Sequence, residues 1–185
     1  MLLTIIILGV VIVLLILWVI GTYNNLVSKR NQVDRAYADL DVYLQKRFQL
    51  VPNLLATAQK LTDQEQAIFD KITKAREAIG GARTVDERFA KEDGLTQALR
   101  GFLAYSEQNP QFMSQQGLSD FSTSLNDIDT QIRNAQQFYN GSILNFDNLA
   151  QTFPSNIVAG MFKIVTKPYF KATTEEQGNV KVEFK

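Results

Sequence analysis

Apolar positions along this chain follow two regimes. From residue 2 to residue 20 they are continuous, nearly all Leu, Ile and Val, with Thr4, Gly9 and Trp18 as the departures and no charged side chain. A hydrocarbon core roughly 30 Å thick takes about 20 apolar residues at 1.5 Å rise each, so this run predicts a membrane-spanning helix. Trp18 and Tyr23 fall near its C-terminal end, where amphipathic rings favour the headgroup level. A cleaved signal peptide would show a basic start, an apolar stretch of about 7–15 residues and a small-residue cleavage site. Here the first four residues carry no Lys or Arg, the apolar run is longer, and Gly21-Thr22 is not an Ala-x-Ala pattern. The segment is expected to remain as an anchor.

Past residue 22 the apolar positions recur in steps of three and four, the helical period. Leu26, Val33, Tyr37, Leu40 and Leu44 share a face, Lys29, Arg30, Gln32, Asp39 and Lys46 lie mainly off it, and no linker separates this helix from the span. Proline lacks a backbone donor but suits a helix's first position. Pro52 therefore predicts a turn over 48–51 and a second helix over 52–79, with Leu54, Ala58, Leu61, Ile68, Ala75 and Ile79 in register and Glu65 as the polar intruder. Gly80-Gly81 should stop it. Thr84-Val-Asp-Glu87 has the spacing of a capping box. It should open a third helix using Phe89, Leu95, Leu99 and Phe102, ended by Asn109-Pro110.

The fourth helix has the strongest stripe: Leu118, Phe121, Leu125, Ile128, Ile132, Ala135, Tyr139, Phe146, Leu149 and Phe153, missing only Ser142. Phe153-Pro154-Ser155-Asn156 then reads as a turn into a short helix with Ile157, Ala159 and Met161, and both Pro168-Tyr169-Phe170 and the alternation over 180–184 look extended. Stripes of this kind need partners. The expected fold is all-α: an N-terminal transmembrane helix continuing into an antiparallel long-helix, four-helix bundle. Residues 1–22 would be the anchor, 23–162 the bundle, and 163–185 an extended or loosely ordered tail. A coiled-coil dimer would bury the same stripes, but the internal breaks at Pro52, Gly80-Gly81 and Pro110 favour burial within one chain.

Composition narrows the chemistry. Nineteen Lys and Arg balance nineteen Asp and Glu, so the electrostatic signature of nucleic-acid binding is missing. The chain has no Cys, which removes disulfides, thiol catalysis, thiolate ligands and a lipid-modified cysteine together. It has no His, which excludes His-based triads, the two-His zinc motif and the Glu-x-x-His pairs of di-iron bundles. The about 165 residues beyond the anchor suit one domain.

Paired carboxylates occur as Asp39 with Asp41 and Asp127 with Asp129, but residues two apart on a helix do not face each other. They read as solvated charges or intrahelical partners. Gly80-Gly81 and Gly94 lack the Walker spacing and the strand context of a phosphate loop. Lys46-Arg47, beside the predicted turn, could bind an anion or lipid headgroup, or serve the helix end and its dipole. Tyr139, Phe146 and Phe153 read as core. The segments that break pattern, 48–53 and 153–162, are the better candidates for a recognition surface, and with Lys46 and Arg47 they supply the candidate partner surface: Lys46, Arg47, Phe48, Gln49 and Asn53, then Phe153, Ser155 and Asn156. No catalytic residue, cofactor or metal is expected.

Taken together the motifs resemble the LemA family. The first block is Val33-x-x-Ala36-Tyr37-x-Asp39-Leu40-Asp41-Val42-x-Leu44-x-Lys46-Arg47, followed by Leu50-Val51-Pro52-Asn53-Leu54-Leu55. The second covers Ile132-x-x-Ala135, Tyr139-Asn140, Phe153-Pro154-Ser155-Asn156, Ala159, Phe162 and Pro168-Tyr169-Phe170. Departures are Lys46-Arg47-Phe48-Gln49-Leu50 where members usually read Arg-Arg-x-Asp-Leu, Gln136 at a commonly basic position, and Asp127-Ile128-Asp129 where Gly-Thr-Glu is typical. The resemblance implies a membrane-anchored helical bundle without established catalysis, linked with membrane stress and with membrane-bound protease or scaffold partners. It leads to a non-enzymatic adaptor with a membrane-protein partner. An anchored sensor whose bundle binds a ligand or lipid is the alternative, and either leaves room for an oligomer. Lys29, Arg30 and Arg35 follow the span and no Lys or Arg precedes it, which places the domain in the cytoplasm by the positive-inside bias. Relatives with lipoprotein-type signals would expose the same domain outside.

Overall fold

An uncharged start and no breaker before Pro52 give one long helix. In the computed structural model, which describes residues 1–57, 62–113, 117–165 and 167–170, α1 runs unbroken over Leu2–Thr57. Then come α2 (Asp63–Gly80), α3 (Val85–Gln108), the single turn α4 (Pro110–Met113), α5 (Leu118–Gln151) and α6 (Ser155–Met161). No strand occurs among the described residues. The first part of α1 is long and apolar enough to cross a membrane, and its most apolar stretch is not buried within the protein. Ala58 and Leu61, expected in the second helix, and the alternation over 180–184 lie outside the described residues.

The predicted turn at 48–51 does not form; Pro52 sits inside α1. Proline removes the N–H that would serve the carbonyl four residues earlier, here that of Phe48. Arg76 of α2 supplies the replacement: its Nε donates to Phe48 O at 3.3 Å, and its guanidinium lies 4.2 Å from the centroid of the Phe48 ring. A tertiary donor thus lets the helix continue through a residue that locally breaks it. Arg76→Ala is expected to cost about 1 kcal/mol in chemical denaturation of the detergent-solubilised chain. In the Pro52→Ala background the loss should shrink, since alanine would restore the backbone donor.

The other helix starts follow local chemistry. Thr62 accepts from Glu65 N, and the Glu65 carboxylate accepts from Thr62 N at 2.7 Å, a complete capping box. Glu65, a polar intruder by its register, is therefore a cap residue. At α3, Thr84 accepts from Glu87 N at 3.1 Å, but the Glu87 carboxylate takes Arg83 N at 2.8 Å, so only half the predicted box is present. Gly117, with φ 94°, precedes α5 in a conformation that only glycine adopts without strain.

The chain divides into two compact units. One comprises residues 1–39 and 135–169. Its core joins Leu26, Val33 and Ala36 of α1, Tyr139, Ile143 and Phe146 of α5, and Val158 and Ala159 of α6. Tyr37 and Tyr139 meet at 5.9 Å between ring centroids. The segment after α6 is tied back by side chains: Tyr139 Oη donates to Pro168 O at 2.9 Å, Lys167 pairs with Asp34, and Tyr169 Oη donates to Asp147 at 2.9 Å. Desolvation first, then that hydrogen bond and the charge of Asp147, holds the Tyr169 phenol above its ordinary pKa.

The other unit comprises residues 40–134 with, among the described residues, Phe170. One apolar cluster takes Val51 and Leu54 from α1, Phe69, Ile72 and Ile79 from α2, Leu95, Leu99 and Phe102 from α3, Phe112 from α4, and Leu118, Phe121 and Leu125 from α5. The start of α2 meets the end of α3: Phe69 lies edge-on to Phe102 at 6.2 Å, and Tyr105 Oη donates to Glu65 at 3.5 Å. Phe89 packs on Phe170 at 4.4 Å.

Candidate functional site

Three helices of the second unit each place one charged residue in an apolar stripe. On α1 the buried register is Leu40, Leu44, Arg47, Val51, Leu54; on α3 it is Phe89, Glu92, Leu95, Leu99, Phe102; on α5 it passes Leu125, Asp129 and Ile132. The three charges meet. Arg47, 2 % exposed, donates through Nη2 to Glu92 Oε2 at 2.6 Å, and Glu92 is fully buried. Through Nη1 it donates to Thr96 Oγ1 at 2.9 Å and to Asp129 Oδ1 at 3.4 Å. Thr96 in turn donates to Glu92 O at 2.8 Å, which orients its lone pairs toward the guanidinium. Arg88 extends the group, pairing with Asp41 at 2.5 Å and lying 3.9 Å from Glu92 Oε1.

The network is not saturated. Arg47 Nε and Glu92 Oε1 are buried without a hydrogen-bond partner. Buried ions cost several kcal/mol each in lost hydration, which mutual attraction offsets only when geometry and hydrogen bonding are good. The arrangement holds charge in the interior but presents no nucleophile with a base. Among the described residues no group of three or more Asp or Glu is placed to hold a metal ion.

The expected partner surface is redistributed by these positions. Arg47 leaves it, because burial and three side-chain partners make it unavailable to an external anion. Phe48 is half-buried beneath Arg76. Lys46, Gln49 and Asn53 are exposed and share one stripe of α1, with Lys46 Nζ 5.2 Å from the Tyr43 ring centroid. In the other unit Phe153 and Asn156 are exposed, while Ser155 is half-buried with its hydroxyl 2.9 Å from Thr152 O. Asp39 and Asp127 are exposed, whereas Asp41 and Asp129 are partly exposed and each reaches an arginine on another helix. Glu92 and Thr96 are absent from the residues that sequence reasoning singles out. The available signal is Glu92's place three residues after Phe89 and three before Leu95, inside the apolar register rather than outside it.

Comparison with curated proteins finds no match. Residues 36–184, which include the Arg47–Glu92–Asp129 network and most of the helical body, match the family model described as LemA family, and the chain belongs to that family.

Proposed function

We propose that the chain is a non-enzymatic, membrane-anchored adaptor. In this reading α1 crosses the bilayer once. The C-terminal part of α1 with α2, α3 and α5 forms an antiparallel four-helix bundle, and the bundle docks a membrane protein, such as a protease or another component of a membrane-stress response. Lys29, Arg30 and Arg35, which follow the span, put the body in the cytoplasm by the positive-inside bias.

The observation that carries the reading is the outer stripe of α1. Val42, Lys46, Gln49 and Asn53 recur at helical spacing and are all exposed, whereas Leu40, Leu44, Arg47, Val51 and Leu54 on the same helix are buried. Val42, a large apolar side chain, is 51 % exposed among polar neighbours, and interfaces commonly combine apolar contact with a polar rim. A photoreactive residue placed at Gln49 of the full-length protein in its native membrane tests it. Reproducible capture of a membrane protein supports the adaptor, and capture of lipid or nothing removes this stripe as a docking face.

A second reading, an anchored sensor, draws on the unsaturated interior pair. Glu92 Oε1 lacks a hydrogen-bond donor, so a ligand or repacking that supplied one would shift the helices around it. A ligand that slows hydrogen exchange in α3 would favour this reading.

A further inference from the structure

The unit containing the span also contains α6, which is held to it by one face only. Val158 and Ala159 are buried. Around them Phe153 is 75 % exposed, Ile157 53 %, Met161 67 %, Phe162 50 % and Val165 78 %. Five large apolar side chains within thirteen residues form an exposed cluster of the kind that marks an interaction site. Its position says which. Phe162 stacks on Tyr23, ring centroids 4.5 Å apart and tilted by 46°, and Tyr23 lies one turn beyond Ile20, the last residue of the apolar run. The cluster is therefore continuous with the end of the span, at the level where aromatic rings sit among headgroups.

The chain turns after α6 through a backbone device that keeps a cation there. Lys163 N donates to Gly160 O and Ile164 N to Ala159 O, at 3.2 and 3.1 Å respectively, with Lys163 at φ 49°. This is a Schellman cap with lysine at the left-handed position that glycine usually fills. An exposed lysine beside exposed apolar side chains suits the boundary between acyl chains and anionic headgroups.

We propose that α6 and its flanks are a second membrane contact: Ile157, Met161, Phe162 and Val165 enter the headgroup–acyl boundary beside the emerging end of α1, with Lys163 toward anionic headgroups. The occupant is lipid, and the inference rests on α1 being membrane-spanning. Burial of such apolar faces reaches about 5–10 Å into the boundary, which fixes α6 against the bilayer surface and limits rotation of its unit about the span.

The sequence contains a single tryptophan, Trp18, which gives the test its internal standard. The full-length protein is reconstituted in vesicles of phosphatidylcholine and phosphatidylglycerol, with and without brominated acyl chains. Trp18 fluorescence is read in the parent, and Met161→Trp and the exposed α5 position Gln137→Trp are read in a Trp18→Phe background. Brominated lipid should quench the Met161→Trp indole several-fold more than the Gln137→Trp indole, and aqueous iodide should show the reverse order. Equal iodide quenching at both positions, or shielding of Met161→Trp from iodide and bromolipid alike, overturns the proposal, the latter by showing a protein cover. Quenching of Trp18 in the same vesicles with none at Met161→Trp overturns it while leaving the span intact. Absence of quenching at Trp18 removes the span, and the proposal with it.

Discussion

Replacing Arg47 with methionine is expected to lower the unfolding free energy of the detergent-solubilised chain by about 3–5 kcal/mol, the usual cost of removing one partner from a buried ion pair. The loss comes less from the contact than from what remains. Glu92 is fully buried, and without Arg47 the cation left beside it is Arg88, 3.9 Å from Oε1 and already paired with Asp41. Asp129, with 18 % of its side chain exposed, can regain water; Glu92 cannot. The double variant Arg47→Met with Glu92→Leu should therefore recover most of the loss, because apolar residues of similar volume often replace a buried pair without net cost. Denaturant titrations followed by circular dichroism of the two single variants and the double variant decide it. A double variant as unstable as Arg47→Met would show that the cost lies in packing around the guanidinium stem instead.

Phe102→Ala is expected to have a comparable effect, about 3–5 kcal/mol. Phe102 is fully buried and stands at the centre of an aromatic group, with Phe69 at 6.2 Å, Phe112 at 6.0 Å and Phe121 at 5.5 Å, all edge-on. Truncation removes the ring's transfer free energy, leaves a cavity that three surrounding rings can only partly close, and deletes three edge contacts worth about 0.5–1.5 kcal/mol each. Phe102→Leu keeps most of the apolar volume and should cost less than half as much. A loss under about 1 kcal/mol for Phe102→Ala would mean that the helices of this unit are not held by that cluster.

The sequence exposed the fold where local chemistry and apolar period agreed. The apolar helix at the start of α1, the start of α3 at Thr84, the stop of α2 at Gly80-Gly81, the break at Pro110 and the short helix after Phe153 all follow from residues within a few positions of the feature. What it concealed depended on partners far along the chain. Pro52 reads as a turn until Arg76, in the next helix, covers the Phe48 carbonyl. On α5 the alternating stripe points to Ser142, whereas the structure buries Ile143 and leaves Phe153 exposed. The seven-residue positions Leu118, Leu125, Ile132, Tyr139 and Phe146 stay buried throughout, so the departure is confined to the second line of the stripe, where a 3.6-residue repeat drifts by about 20° per heptad from a strict seven-residue pattern.

The candidate site was legible in part. The exposure of Lys46, Gln49 and Asn53 follows from their place opposite Leu40 and Leu44, but Arg47 lies in the apolar register and groups with Lys46 only because both are basic. Adjacent residues on a helix point about 100° apart; charge alone could not separate them, and register could. Glu92 was hidden in the same way within the charged run Lys91-Glu92-Asp93.

The meeting of Arg47, Glu92 and Asp129 also has a mechanical side. Each of the three helices contributes one charge at one height, and a guanidinium makes directed bonds rather than a general attraction. Sliding α1 by one residue along its axis moves it about 1.5 Å and, if the helix screws to keep its ridges in the facing grooves, turns it by about 100°, which would swing Arg47 out of the pocket and bring Lys46 or Phe48 toward it. Neither presents a fork that fits the two carboxylates. The trio therefore acts as an indexing pin: it sets which turn of α1 faces which turn of its neighbours.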